Sequence, residues 1–544
     1  MSRARYSAVL VVLLLAVQLA FAAPHPKSSQ SKPVHRAAKK EKVKDKVHES
    51  KAVRERIEAI LSQPDVARGF WGIEAVSLDT GNTLFTYNGD KLFTPASNTK
   101  LFTTAAALAL IGPDYQFKTT VETTGTLDKY GRLSGDVVLV GRGDPNLSGR
   151  LLPYQYGAAD REPPMIVLQQ LADQLVQKGV RFVDGDIIGD DTFYAFEPYA
   201  DGWSQDDMSR EWGAPVSALT VNDNVQFVRV QPGASPGEKA FVDIQPFPDY
   251  YQLDNRIMTT PAGTGPRNVN ITREPGSHLL TLWGTIPADD PGFHESLAID
   301  DPADFAARVF RRMLEERGVT IYGKARAKHL EVANLSTFIV TARAQSGGGD
   351  IPGAMRTIPP LVLGSYLSKP LLDDVTVTNK ESQNLHAELL LRLLGREKGT
   401  AGTIEAGSEV LRGFLSRADI RSDEYVFYDG SGLSRQNLVT PHAIVKLLLY
   451  ASQQPWGDQY RSSLPVGGTD GTLADRFKDG NEKGNVDAKT GSLSHVSTLS
   501  GYATTEKGDR IAFSIMANNY HIPASTAMQA IDQIVSALVE DGKK

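Results

Sequence analysis

The two ends of this chain read as mirror images, and nothing else in the sequence constrains the fold as strongly. Near the start, Val53, Ile57, Ile60 and Leu61 recur at helical spacing and lay down one apolar stripe. A hairpin follows, with strands expected over 71–78 and 83–87 around the turn Asp79-Thr80-Gly81-Asn82. Near the finish the order reverses. Strands expected over 499–504 and 510–516 flank the turn Glu506-Lys507-Gly508-Asp509, and Met528, Ile531, Val535 and Leu538 stripe a last helix. Helix plus hairpin at one end and hairpin plus helix at the other predict one sheet built from both ends, with the middle of the chain inserted into it.

At 544 residues the chain is too long for one ordinary core, so two or three domains are expected. The middle contains a loose internal echo. Leu175-Val176-Gln177-Lys178-Gly179-Val180, followed by Gly185, resembles Met313-Leu314-Glu315-Glu316-Arg317-Gly318-Val319, followed by Gly323. Each reads as a helix ending on glycine and leading into a strand, so the two are expected as paired units of one α+β domain. Between them, 216–299 holds short alternating segments with many Gly and Pro residues, the pattern of an all-β domain.

Arg3 and Arg5, an apolar run over 8–17 and Ala20-Phe21-Ala22 ahead of Ala23 describe a secretory signal peptide at 1–22, the alternative being a retained anchor. Residues 23–52 are rich in Lys, Ser, Pro and His and read as a disordered leader. Its lysines serve either as a solvated tether or as a peripheral contact with an anionic envelope polymer. The protein is therefore expected in the periplasm or cell envelope. Lys+Arg 58 against Asp+Glu 64 leaves a net charge of -6 and no basic field for nucleic acid. The absence of cysteine excludes disulfides, thiolate metal sites and thiol nucleophiles. Nothing in the sequence calls for a cofactor or a metal.

The chemistry concentrates in three short runs. In Thr94-Pro95-Ala96-Ser97-Asn98-Thr99-Lys100, continued by Leu101, Ala105 and Leu108, Ser97 stands at a helix start with Lys100 one turn on, on the same side. A serine hydroxyl needs a neighbouring base to become a nucleophile, and a neutral lysine at i+3 can be that base. Ser-x-x-Lys alone carries little weight, since Ser29-Gln30-Ser31-Lys32 has the same form. Two further runs change this. Ser382-Gln383-Asn384 stands where a loop enters a helix, and Lys489-Thr490-Gly491-Ser492 sits in a short strand candidate. The fragment His386-Ala387-Glu388 imitates part of a zinc site, but without cysteine that site cannot be completed, and an exposed helix face is expected there.

With these three runs, and with Thr378-Asn379-Lys380-Glu381, Asp429-Gly430-Ser431-Gly432-Leu433-Ser434-Arg435, Gly143-Asp144-Pro145 and Asp470-Gly471-Thr472-Leu473, the chain resembles the class C low-molecular-mass penicillin-binding proteins. These are D-alanyl-D-alanine carboxypeptidases and endopeptidases. The separation of 282 positions from Lys100 to Ser382 fits a family trait, two domains interrupting the catalytic one. The resemblance implies an α+β chain in which a β-lactamase/transpeptidase-like domain, 53–115 and 350–544, is an antiparallel sheet flanked by helices. An α+β domain, 116–215 and 300–349, would interrupt it and carry the all-β domain. It implies that Ser97 attacks the penultimate D-alanine carbonyl of a peptidoglycan stem peptide while Lys100 takes its proton. Lys489 would hold the terminal carboxylate with Thr490 or Ser492, and its charge would help keep Lys100 neutral. Gly491 would allow close approach, Ser382 would relay a proton to the leaving amine, and Asn384 would orient Lys100 and the substrate. Asp191, in the insert, would meet an amino group of the stem peptide, and Arg435 would lie near the cleft. β-Lactams would be covalent inhibitors. A β-lactamase-like hydrolase and a non-catalytic peptidoglycan-binding protein are the rival readings.

Overall fold

The computed structural model describes residues 50–157, 162–274, 276–332 and 359–540. The expected signal peptide and nearly all of the leader lie outside these residues. In the strand Phe70–Ser77 every residue but the first is buried, because the strand is covered on both faces. It pairs antiparallel with Thr83–Tyr87 on one side and with Arg510–Asn518 on the other. Val496–Thr504 and Asp487–Leu493 complete a five-stranded antiparallel sheet, so both ends of the chain do build one sheet.

Alternation along these strands separates two cores. Trp71, Ile73, Phe513 and Ile515 pack with Ile57 of the helix Lys51–Leu61 and with Ile531 and Val535 of the helix Ala524–Val539. Val76, Ala512 and Met516 share the other core with Leu101 and Ala105 of the helix Thr99–Leu110 and Leu448 of the helix Pro441–Ser452. Each fully buried large side chain contributes about 1.5–3 kcal/mol, so the second core anchors Thr99–Leu110 firmly. That helix is buried from Thr99 to Leu108, not along one stripe, because it runs through the middle of its layer.

The insert has its own five-stranded sheet, in the order Ala325–Leu330, Ile187–Ala195, Val137–Val140, Lys118–Thr123, Leu361–Leu367. The internal echo is real in space. After the helices Ile166–Gln177 and Pro302–Glu316 come Gly179 and Gly318, both with φ near +90°, the left-handed turn that ends a helix. The strands that follow them run parallel as neighbours, Thr320–Ile321 beside Phe182–Val183 and Ala325–Leu330 beside Ile187–Ala195. Gly185 and Gly323 touch there: a Cβ on Gly323 would lie 2.1 Å from the Gly185 carbonyl oxygen. Within 216–299 the chain forms two three-stranded sheets, one made of Phe241–Gln245, Val225–Gln231 and Phe293–Ala298, the other of Gln252–Thr260, Leu279–Pro287 and Asn268–Arg273.

One strand departs from the expected boundaries. Leu361–Leu367 pairs antiparallel with Lys118–Thr123 at the edge of the inserted sheet, although the outer part was expected to resume at 350. Its apolar run says that it joins a sheet and not which one, since the partner is remote in sequence. The outer part resumes with the helix Leu371–Lys380, whose Leu371 and Val375 enter the core containing Leu101.

Candidate active site

Ser97 occupies a single 3-10 turn, Ala96–Asn98, just ahead of the regular helix Thr99–Leu110. Ala96 has φ 48°, a left-handed conformation that costs a non-glycine residue on the order of 1–3 kcal/mol. Its neighbours hold it there. Gly432, at φ 85°, approaches so closely that a Cβ on it would lie 1.8 Å from the Ala96 carbonyl oxygen. From the sheet side, Asn98 Nδ2 donates to the Lys489 carbonyl at 2.9 Å, Ser500 Oγ to Asn98 Oδ1 at 2.6 Å, and Thr498 Oγ1 to the Pro95 carbonyl at 2.9 Å.

These bonds press the Ser97 turn against the edge strand Asp487–Leu493, which carries Lys489, Thr490, Gly491 and Ser492. A Cβ at Gly491 would stand 2.2 Å from Thr498 Oγ1, 2.8 Å from the Pro95 carbonyl oxygen and 3.1 Å from the Ser97 nitrogen. Gly491→Ala should therefore push the strand off the turn and slow the acylation that the family resemblance implies for Ser97 by about 100-fold, the usual penalty of an ångström-scale misplacement. The melting transition should stay cooperative. A wild-type acylation rate in this variant would show that the close approach is dispensable.

Lys100 is fully buried. Its Nζ lies 2.9 Å from Ser97 Oγ, 2.6 Å from Asn384 Oδ1 and 2.7 Å from the Ser431 carbonyl oxygen. Burial pushes its pKa down to about 7, while Asp429 and Glu388 pull it back up. A neutral amine has two N–H donors and one lone pair. With the donors taken by Asn384 and Ser431, the lone pair is left facing the Ser97 hydroxyl.

Lys489 is also fully buried and sits well below the usual lysine range, first through burial and then through repulsion by Lys100. For Lys100 it is burial that lowers the pKa, where the resemblance looks to the charge of Lys489. Lys489 Nζ donates to Ser382 Oγ at 2.8 Å, and Ser382, at φ 61°, lies in the short loop between the helices Leu371–Lys380 and Asn384–Lys398. The hydroxyl oxygens of Thr490 and Thr472 are 2.7 Å apart, and Lys380 pairs at 2.6 Å with Asp470.

A cleft of 310 Å³ opens over Ser97, with Ser382, Asn384, Ser492 and the exposed Arg435 on its walls. Asp191 is not brought to it. That residue is buried inside the strand Ile187–Ala195, 2.9 Å from Ser217 Oγ and 3.0 Å from His329 Nδ1. Its acid pair after Gly189 is a strand interior held by its own partners, a setting that two adjacent aspartates do not announce. The acid of the insert that does line the cleft is Asp207, together with Trp212. Trp212 Nε1 donates to Asp207 Oδ1 at 2.8 Å, while Asp207 Oδ2 is buried without a hydrogen-bond partner among the described residues. The Trp212 carbonyl accepts from Asn384 Nδ2 at 2.8 Å. Neither residue stands in a sequence pattern that could have marked it.

The expected exposed face at His386-Ala387-Glu388 is wrong: His386 and Glu388 are both fully buried. Glu388 Oε1 accepts from the backbone N–H groups of Gly430 and Ser431, each at 2.9 Å, and so aims the Ser431 carbonyl at Lys100. Asp429 accepts from Gly432 N at 2.8 Å and Ser434 N at 2.6 Å, which folds the glycine-rich loop over the Ser97 turn.

The profile of the D-Ala-D-Ala carboxypeptidase 3 (S13) family matches residues 53–539. The chain is 36% identical over 499 residues to the D-alanyl-D-alanine carboxypeptidase of Actinomadura sp. (strain R39), covering 90% of this chain and 84% of that protein. It is 24% identical over 454 residues to the D-alanyl-D-alanine carboxypeptidase DacB of Haemophilus influenzae, covering 82% and 85%. The crystal structure of penicillin binding protein 4 (dacB) from Haemophilus influenzae superposes with a TM-score of 0.73 at 23% identity, over 89% of this chain and 99% of that one. A second structure of that protein, complexed with a β-lactam, gives 0.69 at 22% identity, over 89% and 99%.

Proposed function

The chain belongs to the D-Ala-D-Ala carboxypeptidase 3 (S13) family, and from that premise we propose that Ser97 forms the acyl-enzyme through which it hydrolyses D-alanyl-D-alanine ends and cross-links of peptidoglycan stem peptides. It is a serine-type peptidase and a penicillin-binding protein. The observation that carries the assignment of Ser97 is the buried Lys100 amine, held by two acceptors with its remaining position on the Ser97 hydroxyl.

In this reading Lys100 takes the hydroxyl proton as Ser97 Oγ attacks the carbonyl of the penultimate D-alanine. The backbone N–H groups of Ser97 and Ser492 would receive the oxyanion. An incoming carboxylate restores charge to Lys489, because an opposite charge at short range favours the protonated amine. Ser382, already hydrogen-bonded to Lys489, relays the proton to the leaving amine, and the C–N bond breaks. Water then attacks the ester and frees Ser97. The unpaired oxygen of Asp207 and the exposed Arg435 support a stem peptide whose side chain carries both an amino group and a carboxylate. Such a substrate lies in the cell envelope, where the basic, apolar and small-residue order of residues 1–22 would deliver the chain. No helix among the described residues is long and apolar enough to cross a membrane.

Intact mass after incubation with penicillin should show one covalent equivalent, and a stem pentapeptide should release its terminal D-alanine. Hydrolysis without any adduct would end the acyl-enzyme reading. The acylation rate should also depend on pH in one direction. The base must be neutral, so the rate should fall by about tenfold per pH unit once the pH drops below about 7, where Lys100 gains its proton. A flat profile from pH 5 to 7 would remove Lys100 from the role of base.

A further inference from the structure

Asn222, Asp223 and Asn224, in the insert, have φ angles of 50°, 54° and 55°. Three successive non-glycine residues in the left-handed region are strained, and such strain persists where the surroundings enforce it, most often at functional sites. Here the side chains of the turn enforce it. Val221 N donates to Asn224 Oδ1 at 3.1 Å, Asn224 Nδ2 to the Pro215 carbonyl at 2.8 Å, and Asn222 Nδ2 to the Val225 carbonyl at 2.9 Å.

What the turn presents is Asp223. Its Oδ2 accepts from Arg150 Nη2 at 2.5 Å and from Gln383 Nε2 at 3.4 Å, and its Oδ1 lies 3.1 Å from His386 Nε2. The guanidinium of Arg150, itself buried, also pairs with Glu381. Two residues of the insert thus grip both neighbours of Ser382. Below them His386 Nδ1 lies 2.6 Å from Asp374 Oδ1. Burial alone would lower the His386 pKa, but Asp374 and Asp223 hold it at about 9, so an imidazolium donates to both carboxylates. Ser382 has a positive φ of its own, so its loop does not rest in this shape unaided.

We infer that Asp223 is a positioning residue for acylation: with Arg150 it holds Glu381 and Gln383 so that the Ser382 hydroxyl stays on Lys489. This rests on the roles proposed above for Ser97 and Ser382. It makes the insert a working part of the active site, since the strained turn lies in the insert and the serine that it orients does not.

The test measures penicillin acylation rates by intact mass on the full chain, for the wild type, Asp223→Asn, Ser382→Ala and the double variant. Asp223→Asn keeps the shape of the side chain and removes its charge. It should slow acylation by about 100-fold, the size of an ångström-scale misplacement, with a cooperative melt and unchanged affinity in the complex that precedes acylation. In the Ser382→Ala background it should cost less than about threefold more, because residues acting through one group do not add. A merely structural residue would multiply its loss in both backgrounds. Should Asp223→Asn fail to fold, Glu381→Gln breaks the Arg150 link at the partly exposed end and should slow acylation by about tenfold, again absorbed by Ser382→Ala. A wild-type rate in Asp223→Asn, or full multiplication in the double variant, overturns the inference while leaving the proposed function standing. No adduct on the wild type takes both down.

Discussion

Ser97→Ala should give a folded protein with no penicillin adduct and no D-alanine release, a loss on the order of 10⁶-fold of the kind seen when a serine nucleophile is removed. The change deletes one oxygen. It leaves the bonds that shape the turn, Asn98 to Lys489 and Thr498 to Pro95, in place, so the melting temperature should move little. Peptide mapping of the wild-type adduct supplies the positive control, since the penicilloyl group should sit on the peptide containing Ser97. Two other serines near Lys100 need to be ruled out. Ser431 Oγ lies 3.3 Å from Asp429 Oδ2, and Ser434 Oγ donates to the Asp201 carbonyl at 2.7 Å, and among the described residues neither hydroxyl has a lysine as hydrogen-bond partner. An adduct on Ser431 or Ser434 would mean that the glycine-rich loop, and not the helix start, carries the nucleophile.

Lys100→Ala should lower the acylation rate by roughly 10³–10⁴-fold, the upper range for loss of a positioned general base. It should also destabilise the protein, unlike Ser97→Ala. The substitution empties a fully buried position and leaves the Asn384 Oδ1 and Ser431 carbonyl acceptors without their shared donor, at about 1–3 kcal/mol for each buried group so stranded. Lys100→Met, which fills the space without a nitrogen, should recover part of the packing and none of the rate. Acylation within tenfold of wild type in Lys100→Met would assign the proton to another group.

The site was legible where its chemistry is local and illegible where tertiary packing decides. Ser97 and Lys100 lie one helical turn apart, so spacing placed them on one side, whereas the bonds of Asn384 to Lys100 and of Ser382 to Lys489 join remote segments and were expected only from the family resemblance. The paired ends of the chain were equally open, because short strand-like runs there flank clear turns and the helices beside them keep a helical period. Asp191 failed for the opposite reason. Two adjacent aspartates look the same in a cleft wall as in a strand where Lys328 and His329 neutralise them, and only the register of Ile187–Ala195 with Ala325–Leu330 decides. Asp207 enters the cleft through a loop with no period at all. His386 and Glu388 look like surface residues until the partners that bury them, Asp223 and the Gly430–Ser431 backbone, arrive from distant segments.

The sheet shared by the two ends also sets the order in time in which this enzyme becomes active. Phe70–Ser77 has to find Arg510–Asn518, and the Ser97 turn has to find Lys489, contacts of very high sequence separation that form slowly. A growing chain therefore holds Ser97 long before it holds the strand that shapes its turn. Without the last fifty or so residues of the sequence, Pro95 and Asn98 lack Thr498 and Ser500, and the turn that carries Ser97 loses those bonds. Chains cut before Asp487 lack the edge strand and with it the bond from Asn98 that shapes the Ser97 turn.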